Sequence, residues 1–249
     1  MEIVRITDGD YAQYEELLLR RDRLEKEASA AQLEYIREFG EAVTAVFREK
    51  LECIALRKAI AFCQQAKNRG EAADPAALQA YLDVHMASYY AELQDMLARN
   101  SAAKGAVPIS DYQAEQVKRI YRRLAKLLHP DISPLTRQDP ELMQLFQEVL
   151  TAYRGNQLQR LQELEVLIRK KLDELGGQQL ELVIENIAGK TEALEEEIQT
   201  ILTTEPYTYR ELLADAFAVE EKKQALEKEL EDYRRYHAEL QKLLDGLQA

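Results

Sequence analysis

The sequence predicts an all-α protein built from long helices, and three observations support this prediction. Only 9 glycines and 6 prolines interrupt its 249 residues. Hydrophobic residues make up 46% of the chain and charged residues 31%, a mixture typical of helices with an apolar inner face and a charged outer face. Apolar residues also recur three and four positions apart over long stretches, which is the spacing of one helix face.

The first predicted element is a very long helix or a kinked pair of helices. Residues 11 to 68 contain no proline and one interior glycine, Gly40, and their apolar residues recur at helical spacing. Arg69-Gly70 supplies a stop signal. Asp74-Pro75 then begins a second helix, with an N-cap side chain followed by proline at the first helical position. We expect this helix to end near Arg99.

Residues 100 to 108 are predicted to form a linker of small residues. A capping box at residues 110 to 113 then begins a helix that should continue to Leu128. Pro130 and Pro134 are expected to exclude helix from the segment that follows. Asp139-Pro140 repeats the N-cap-plus-proline start, so another helix is predicted from this point.

The carboxyl-terminal part is predicted to contain three more helices. Gly155-Asn156 interrupts the chain, and Asn156 with Gln159 is expected to cap a helix that ends near Leu175, before Gly176-Gly177. A further helix is predicted for residues 178 to 203. After Pro206, a capping box at residues 208 to 211 is predicted to begin one helix that continues to the end of the chain.

This last helix carries the cleanest heptad repeat of the sequence, a coiled-coil seam in a and d positions. Its two strongly polar positions, Lys223 and His237, could set the register or the number of strands, or could reach outward to solvent, and we favour the second interpretation. The seam could close on another helix of the same chain or on a second copy, as a homodimer. The seam residues are Leu212, Ala216, Val219, Lys223, Leu226, Leu230, Tyr233, His237, Leu240, Leu244 and Leu247.

Charge and composition disfavour several classes of function. The net charge of -12 argues against nucleic acid or an anionic membrane as the main partner. No apolar run approaches the length of a membrane span and the amino terminus does not resemble a signal peptide, so a cytoplasmic location is expected. Cys53 and Cys63 fit no metal or redox spacing and are predicted to fill the core. No cofactor or metal is expected.

A local basic cluster contrasts with this acidic composition. Residues 115 to 126 carry five basic side chains against Glu115 alone, a local charge of +4. Like charges on one helix face repel, which favours an acidic partner surface as the reason for their presence. The alternative is a solvated face that pairs with the acidic helices of the same chain. The basic residues are Lys118, Arg119, Arg122, Arg123 and Lys126.

The basic helix leads directly into His129-Pro130-Asp131, and Phe146, Val149 and Ala152-Tyr153 follow at helical spacing. Pro130 restricts the backbone and fixes the direction of both polar side chains. Over residues 116 to 153 these features resemble the J-domain (DnaJ-like) co-chaperone family. The resemblance implies an antiparallel helical hairpin with the loop at its tip. It also implies docking on a DnaK-type chaperone ATPase, and stimulation of ATP hydrolysis, through His129, Pro130, Asp131, Lys118, Arg119, Arg122, Arg123 and Lys126.

The chain departs from the family before and after the hairpin. Residues 108 to 113 leave almost no room for the family's first helix with its tyrosine-and-leucine signature, so we expect residues 76 to 99 to take that helix's place. No Gly/Phe-rich linker, four-cysteine zinc module or β-rich client-binding domain follows, so the client protein is not identified. The predicted segments are 1–70 (long helix or coiled coil), 71–109 (helix and linker), 110–156 (hairpin) and 157–249 (helices and coiled coil).

Two functions are compatible with these predictions. The first is a co-chaperone whose coiled coils hold a client or a second copy of the chain. The second is a structural or adaptor coiled-coil protein whose hairpin does not stimulate an ATPase. Exposure of Asp131 and of the basic face should discriminate between them. An enzyme is not expected, because His129 and Asp131 lack the nucleophile or third ligand that a catalytic or metal site needs.

Overall fold

The computed structural model describes residues 8 to 105, 109 to 175 and 186 to 248. Within these ranges every regular element is a helix, which confirms the predicted all-α class. The chain divides into two compact units, a first unit of Met1–Ala31 with Val107–Thr208 and a second unit of Gln32–Ala106 with Tyr209–Ala249. These units differ from the four consecutive segments predicted, because the first helix contributes to both. None of the described helices combines the length and apolarity needed to cross a membrane.

The first helix, α1 (Asp8–Asn68), is one continuous helix of 61 residues rather than a kinked pair. It ends at the predicted stop signal. Gly70 adopts a left-handed φ of 74° and its N–H donates to the Lys67 carbonyl oxygen. Glycine suits this position because it has no Cβ to clash in the left-handed conformation.

The second helix, α2 (Pro75–Gly105), begins as predicted, with the Asp74 carboxylate accepting hydrogen bonds from the N–H groups of its first turn. It extends six residues beyond the predicted end at Arg99, so the expected linker was wrong over residues 100 to 105. Packing explains the difference. The Asn100 side-chain amide donates to the Gly40 carbonyl and the Thr44 hydroxyl at 2.8 Å each, and Ala103 is buried.

The second unit also contains the carboxyl-terminal segment, which the structure divides into α8 (Tyr209–Ala214) and α9 (Ala216–Gln248). The prediction of one uninterrupted helix was therefore wrong at Asp215. The Asp215 carboxylate accepts hydrogen bonds from the N–H groups of Phe217 and Ala218 at 2.9 and 3.3 Å, which makes it the N-cap of α9.

The heptad seam of α9 closes on α1 of the same chain. Leu226 packs with Phe39 and Val46, and Leu244 packs with Ala59 and Cys63. The two polar seam residues do not simply reach into solvent as interpreted. Lys223 pairs with Glu38, and the His237 Nδ1 atom lies 2.6 Å from a Glu49 carboxylate oxygen, so carboxylates of α1 accommodate both.

Both cysteines lie on α1 within this unit and are free thiols. Cys53 and Cys63 are buried, which confirms the prediction that they fill the core. Leu51 of α1 packs with Met86 and Leu93 of α2. The second unit is thus a set of helices packed along residues 32 to 68 of α1.

The first unit contains α3 (Asp111–Leu128), α4 (Pro134–Gln138), α5 (Pro140–Arg154), α6 (Leu158–Glu174) and α7 (Ile187–Thr203). The predicted capping box of α3 is present, with the Ser110 hydroxyl accepting from the Gln113 N–H. Asp139 caps α5 as predicted. The part of the further helix predicted over residues 178 to 185, and the Gly176-Gly177 stop, lie outside the described residues.

Two predictions about this unit were wrong. Pro134 does not exclude helix; it occupies the first position of α4, where the missing N–H costs nothing, after Ser133 as N-cap. Asn156 does not cap α6; it takes a left-handed φ of 54°, and the N-cap position falls on Gln157 without a side-chain bond. A proline at the start of a helix and an asparagine in a turn both fit these local conformations.

The core of the first unit lies between α3, α5 and α6. The Tyr121 and Tyr153 rings stack with their centroids 3.8 Å apart, and the His129 and Phe146 rings meet edge-on at 5.1 Å. Because the earlier residue of α3 meets the later residue of α5, the two helices run in opposite directions. The remaining fully buried side chains include Val117, Leu128, Leu142, Val149, Leu161 and Leu164.

Residues 76 to 99 do not cover the Tyr121 and Leu124 face, so this prediction was wrong. The beginning of α1 occupies that place instead: Leu19 belongs to the same core cluster, and the Tyr121 hydroxyl donates to the buried Asp22 carboxylate. Residues 76 to 99 pack in the second unit, where Met86 and Leu93 meet Leu51. Local sequence gave no indication of a partner about a hundred residues upstream.

Candidate functional site

The His129-Pro130-Asp131 loop joins the end of α3 to α4 and is held by backbone hydrogen bonds. The His129 N–H donates to the Ala125 carbonyl at 2.8 Å, and the His129 carbonyl accepts from Ile132 and Ser133 at 2.9 and 2.8 Å. The Arg137 guanidinium donates to the carbonyls of Pro130 and Asp131 at 2.6 and 3.0 Å. These bonds close a tight turn and hold the loop backbone in one conformation.

The His129 ring points into the protein. It is 4% exposed and packs against Phe146. Its Nε2 atom lies 3.2 Å from the Arg21 guanidinium, and its Nδ1 atom lies 3.2 Å from the Asp131 N–H. Burial lowers the pKa of His129 below its usual value. The geometry agrees with this direction, because a neutral ring can accept a hydrogen bond from one of these two donors, whereas an imidazolium has no acceptor nitrogen for either.

A buried polar cluster connects this ring to α1. Asp22, which is 2% exposed, accepts hydrogen bonds from the Tyr121 hydroxyl and from Arg21, whose Nη2 atom is 2.8 Å away. Burial and the adjacent Asp22 charge raise the pKa of Tyr121, so its hydroxyl stays protonated. Arg21 therefore bridges the Asp22 carboxylate and the His129 ring, and links α1 to the loop.

The Asp131 side chain faces outward, in contrast to His129. It is 44% exposed, and its carboxylate lies 3.8 Å from the His129 Nδ1 atom. Its charge also acts on Tyr14 of α1, whose pKa is raised first by burial and then by Asp131. Asp131 thus presents its carboxylate at the surface. Arg137 holds its backbone, and Tyr14 of α1 lies close to its side chain.

All five basic residues predicted for the site lie on the exposed side of α3. The side chains of Lys118, Arg122, Arg123 and Lys126 are 46% to 53% exposed. They nevertheless have acidic neighbours in their own unit: Glu115 for Lys118, Glu16 for Arg122, Glu165 for Arg123 and Glu15 for Lys126. Arg119 bonds to the Gln116 side chain. The pairs of Lys118 and Arg122 join exposed side chains, and such pairs contribute about 0 to 1 kcal/mol each. Glu165 and Glu15 are only 15% and 16% exposed, so the pairs of Arg123 and Lys126 are partly buried.

The structure brings Asp131 and the basic residues to the surface of one unit and places His129 inside it. Residues that the sequence did not point to are Tyr14, Arg21, Asp22 and Arg137. Only Asp22 left a signal: it lies four positions after Leu18, so a carboxylate interrupts the apolar face of α1. The other three act through contacts distant in sequence or through the backbone.

In the part of the chain that the structure describes, no group of three or more His, Cys, Asp or Glu side chains could hold a metal ion. Comparisons with protein-family models, with curated proteins and with solved structures found no match to this chain.

Proposed function

We propose that this protein is a divergent J-domain co-chaperone that docks on a DnaK-type chaperone ATPase and stimulates its hydrolysis of ATP. The observation that carries the proposal is the half-exposed Asp131 carboxylate, held in a fixed loop at the end of an exposed basic helix face. A preorganised loop loses little conformational entropy on binding. The packed helices of the second unit would hold a client protein whose identity is not known.

The beginning of α1 supports the same proposal. The J-domain family places a helix with a tyrosine and leucines before the basic helix, and α1 brings Tyr14, Leu17 and Leu18 into one cluster with Ile132, which follows the loop directly. Its role in the proposal is structural. The proposal gives α1 the position for which residues 108 to 113 leave no room.

A second candidate, an adaptor protein whose hairpin does not stimulate an ATPase, is favoured by two observations. His129 is buried, so it is not free to touch a partner. Four of the five basic side chains also have acidic neighbours in their own unit. The co-chaperone proposal requires that Asp131 and the exposed cations suffice for docking, with His129 serving as internal support.

Single-turnover ATP hydrolysis by a DnaK-type chaperone of the same organism separates the two candidates. The wild-type chain should raise the rate, and Asp131→Asn should abolish the rise, because the amide keeps the shape of the side chain but removes its charge. Asp173→Asn, an exposed carboxylate on α6, is the matched control and should stimulate like wild type. If the folded wild-type chain leaves the rate unchanged, the co-chaperone proposal fails and the adaptor candidate stands.

A further inference from the structure

A shallow depression on the first unit lies beside the basic face, and it is lined by cations from two helices. Arg20 and Arg23 come from α1, and Lys118 and Arg122 come from α3. Glu16 is the one acid among the described residues that line it. Three of these cations have an acidic neighbour: Glu27 lies 3.9 Å from Arg23, Glu115 lies 3.9 Å from Lys118, and Glu16 lies 3.6 Å from Arg122. The lining itself still holds four cations and one acid, in a chain whose net charge is -12. The amino-terminal helix therefore extends the basic surface beyond α3.

The floor of this depression is apolar and largely aromatic. Tyr121 and Tyr153, whose rings stack at 3.8 Å, line it together with the buried Leu19. Next to it the Lys26 amine lies 4.0 Å above the centre of the Tyr153 ring. The low-dielectric floor weakens solvent screening, so cations around it attract an anion more strongly than isolated surface cations would.

The chemistry of the lining side chains favours a carboxylate as the ligand. The depression is open to solvent and has a volume of about 30 Å³, which is room for the two oxygens of one carboxylate. Arginine also presents planar pairs of N–H donors that match the two oxygens of a carboxylate.

We infer that Arg20 and Arg23, with Lys118 and Arg122, form an anion-binding site that receives a carboxylate side chain from an acidic segment of the docking partner. This inference rests on the proposed function, since the partner in question is the chaperone ATPase. The site adds affinity and orientation to docking, while Asp131 triggers hydrolysis. Removing the α1 arginines should therefore weaken binding and leave the maximal stimulation unchanged.

The experiment measures two quantities on the full chain: the Kd for the ATP-bound chaperone, and the single-turnover rate at saturation. Arg20→Gln/Arg23→Gln should raise Kd about tenfold, as expected for the loss of two exposed charge pairs, and should keep the saturated rate. The control Arg48→Gln/Arg99→Gln removes the same charge from exposed positions of the second unit and should leave Kd unchanged. The control separates a specific site from general charge attraction.

The outcomes are distinguishable. A higher Kd with an unchanged saturated rate, seen only for the α1 variant, supports the inference. If wild type binds and stimulates but the α1 variant matches it in Kd, or if the control variant weakens binding equally, the inference is overturned and the proposed function stands. If the wild-type chain neither binds nor stimulates, the proposed function fails, and the inference built on it fails as well.

Discussion

His129 and Asp131 lie two positions apart in the sequence, but their side chains have opposite surroundings. The His129 ring is buried between Phe146 and Arg21, whereas the Asp131 carboxylate is half exposed. The proline between them supplies no N–H and restricts the backbone of its neighbour, so the two side chains point in different directions. At this scale, one residue stabilises the loop and the other is available to a partner.

Stability should depend on pH through His129. Its folded-state pKa lies below the usual 6.5 because of burial, so in the acidic range the unfolded chain binds a proton that the folded chain does not. The neutral His129 ring contributes fully to the free energy of unfolding above pH 6.5. This contribution is lost as the pH falls below 6.5. Each pH unit between the two pKa values should cost up to about 1.4 kcal/mol of unfolding free energy.

Urea unfolding at several values between about pH 7.5 and about pH 5.5 checks this prediction. His129→Gln should show a shallower decline with falling pH than wild type. The control His85→Gln replaces an exposed histidine and should follow the wild-type profile. Parallel profiles for wild type and His129→Gln would show that the ring titrates normally in the folded protein.

Tyr121→Phe tests how much the hydrogen bond between Tyr121 and the buried Asp22 carboxylate contributes to stability. The substitution keeps the stack on Tyr153 but removes one hydrogen bond to the buried Asp22 carboxylate. We expect a loss of about 1.5 to 3 kcal/mol in unfolding free energy, the range for hydrogen bonds to charged groups. Tyr112→Phe, at a side chain that is 73% exposed, should change stability by less than about 0.5 kcal/mol. Equal stability of the two variants would contradict the role given to this bond.

At the scale of elements, local signals predicted the beginnings of helices well. The Ser110 capping box, the Asp74-Pro75 start and the Asp139-Pro140 start all appear in the structure. These signals act within one helical turn, so the nearby sequence contains them completely. The break at Asp215 was missed because an aspartate can equally lie inside an exposed helix.

Local signals could not predict contacts between distant parts of the chain. Asn100 extends α2 by bonding residues about sixty positions away, and Asp22 meets Tyr121 across 99 positions. The basic face and the loop motif could be predicted from the sequence, but the α1 residues that contact them could not. A helix pattern shows which face is apolar, not which of several apolar faces it will pack against.

Two acids of α1 form ion pairs with the basic face of α3. Glu15 pairs with Lys126, and Glu16 lies 3.6 Å from Arg122. If the proposed docking takes place, these acids compete with the chaperone's carboxylates for the same cations. Glu15→Gln/Glu16→Gln should lower the Kd for the chaperone a few-fold, because it removes both competing carboxylates. The matched control Glu229→Gln/Glu239→Gln, at exposed positions of α9, should leave Kd unchanged. A weaker complex in the first variant would contradict the competition.

At the scale of the whole molecule, the chain forms two units that each contain part of α1. The first unit holds the loop and the basic face. In the second unit the heptad seam of α9 is occupied by α1, since Leu226 packs with Phe39 and Leu244 with Ala59. The seam therefore does not require a second copy of the chain for its burial.

This closure predicts how the thermal midpoint depends on concentration. Because the seam is buried within one chain, Tm should stay constant over about a hundredfold range of protein concentration. Scanning calorimetry or circular dichroism at several concentrations measures it. A midpoint that rises with concentration would show that the folded state gains stability from self-association, as in an obligate dimer.

The proposed action of the exposed loop and basic face on a DnaK-type ATPase can be tested by one titration. The single-turnover rate of ATP hydrolysis is measured while the folded wild-type chain is added in increasing amounts. We predict a rate that rises and then saturates, as specific docking requires. A rate that stays at the value of the chaperone alone throughout the titration would contradict this proposal.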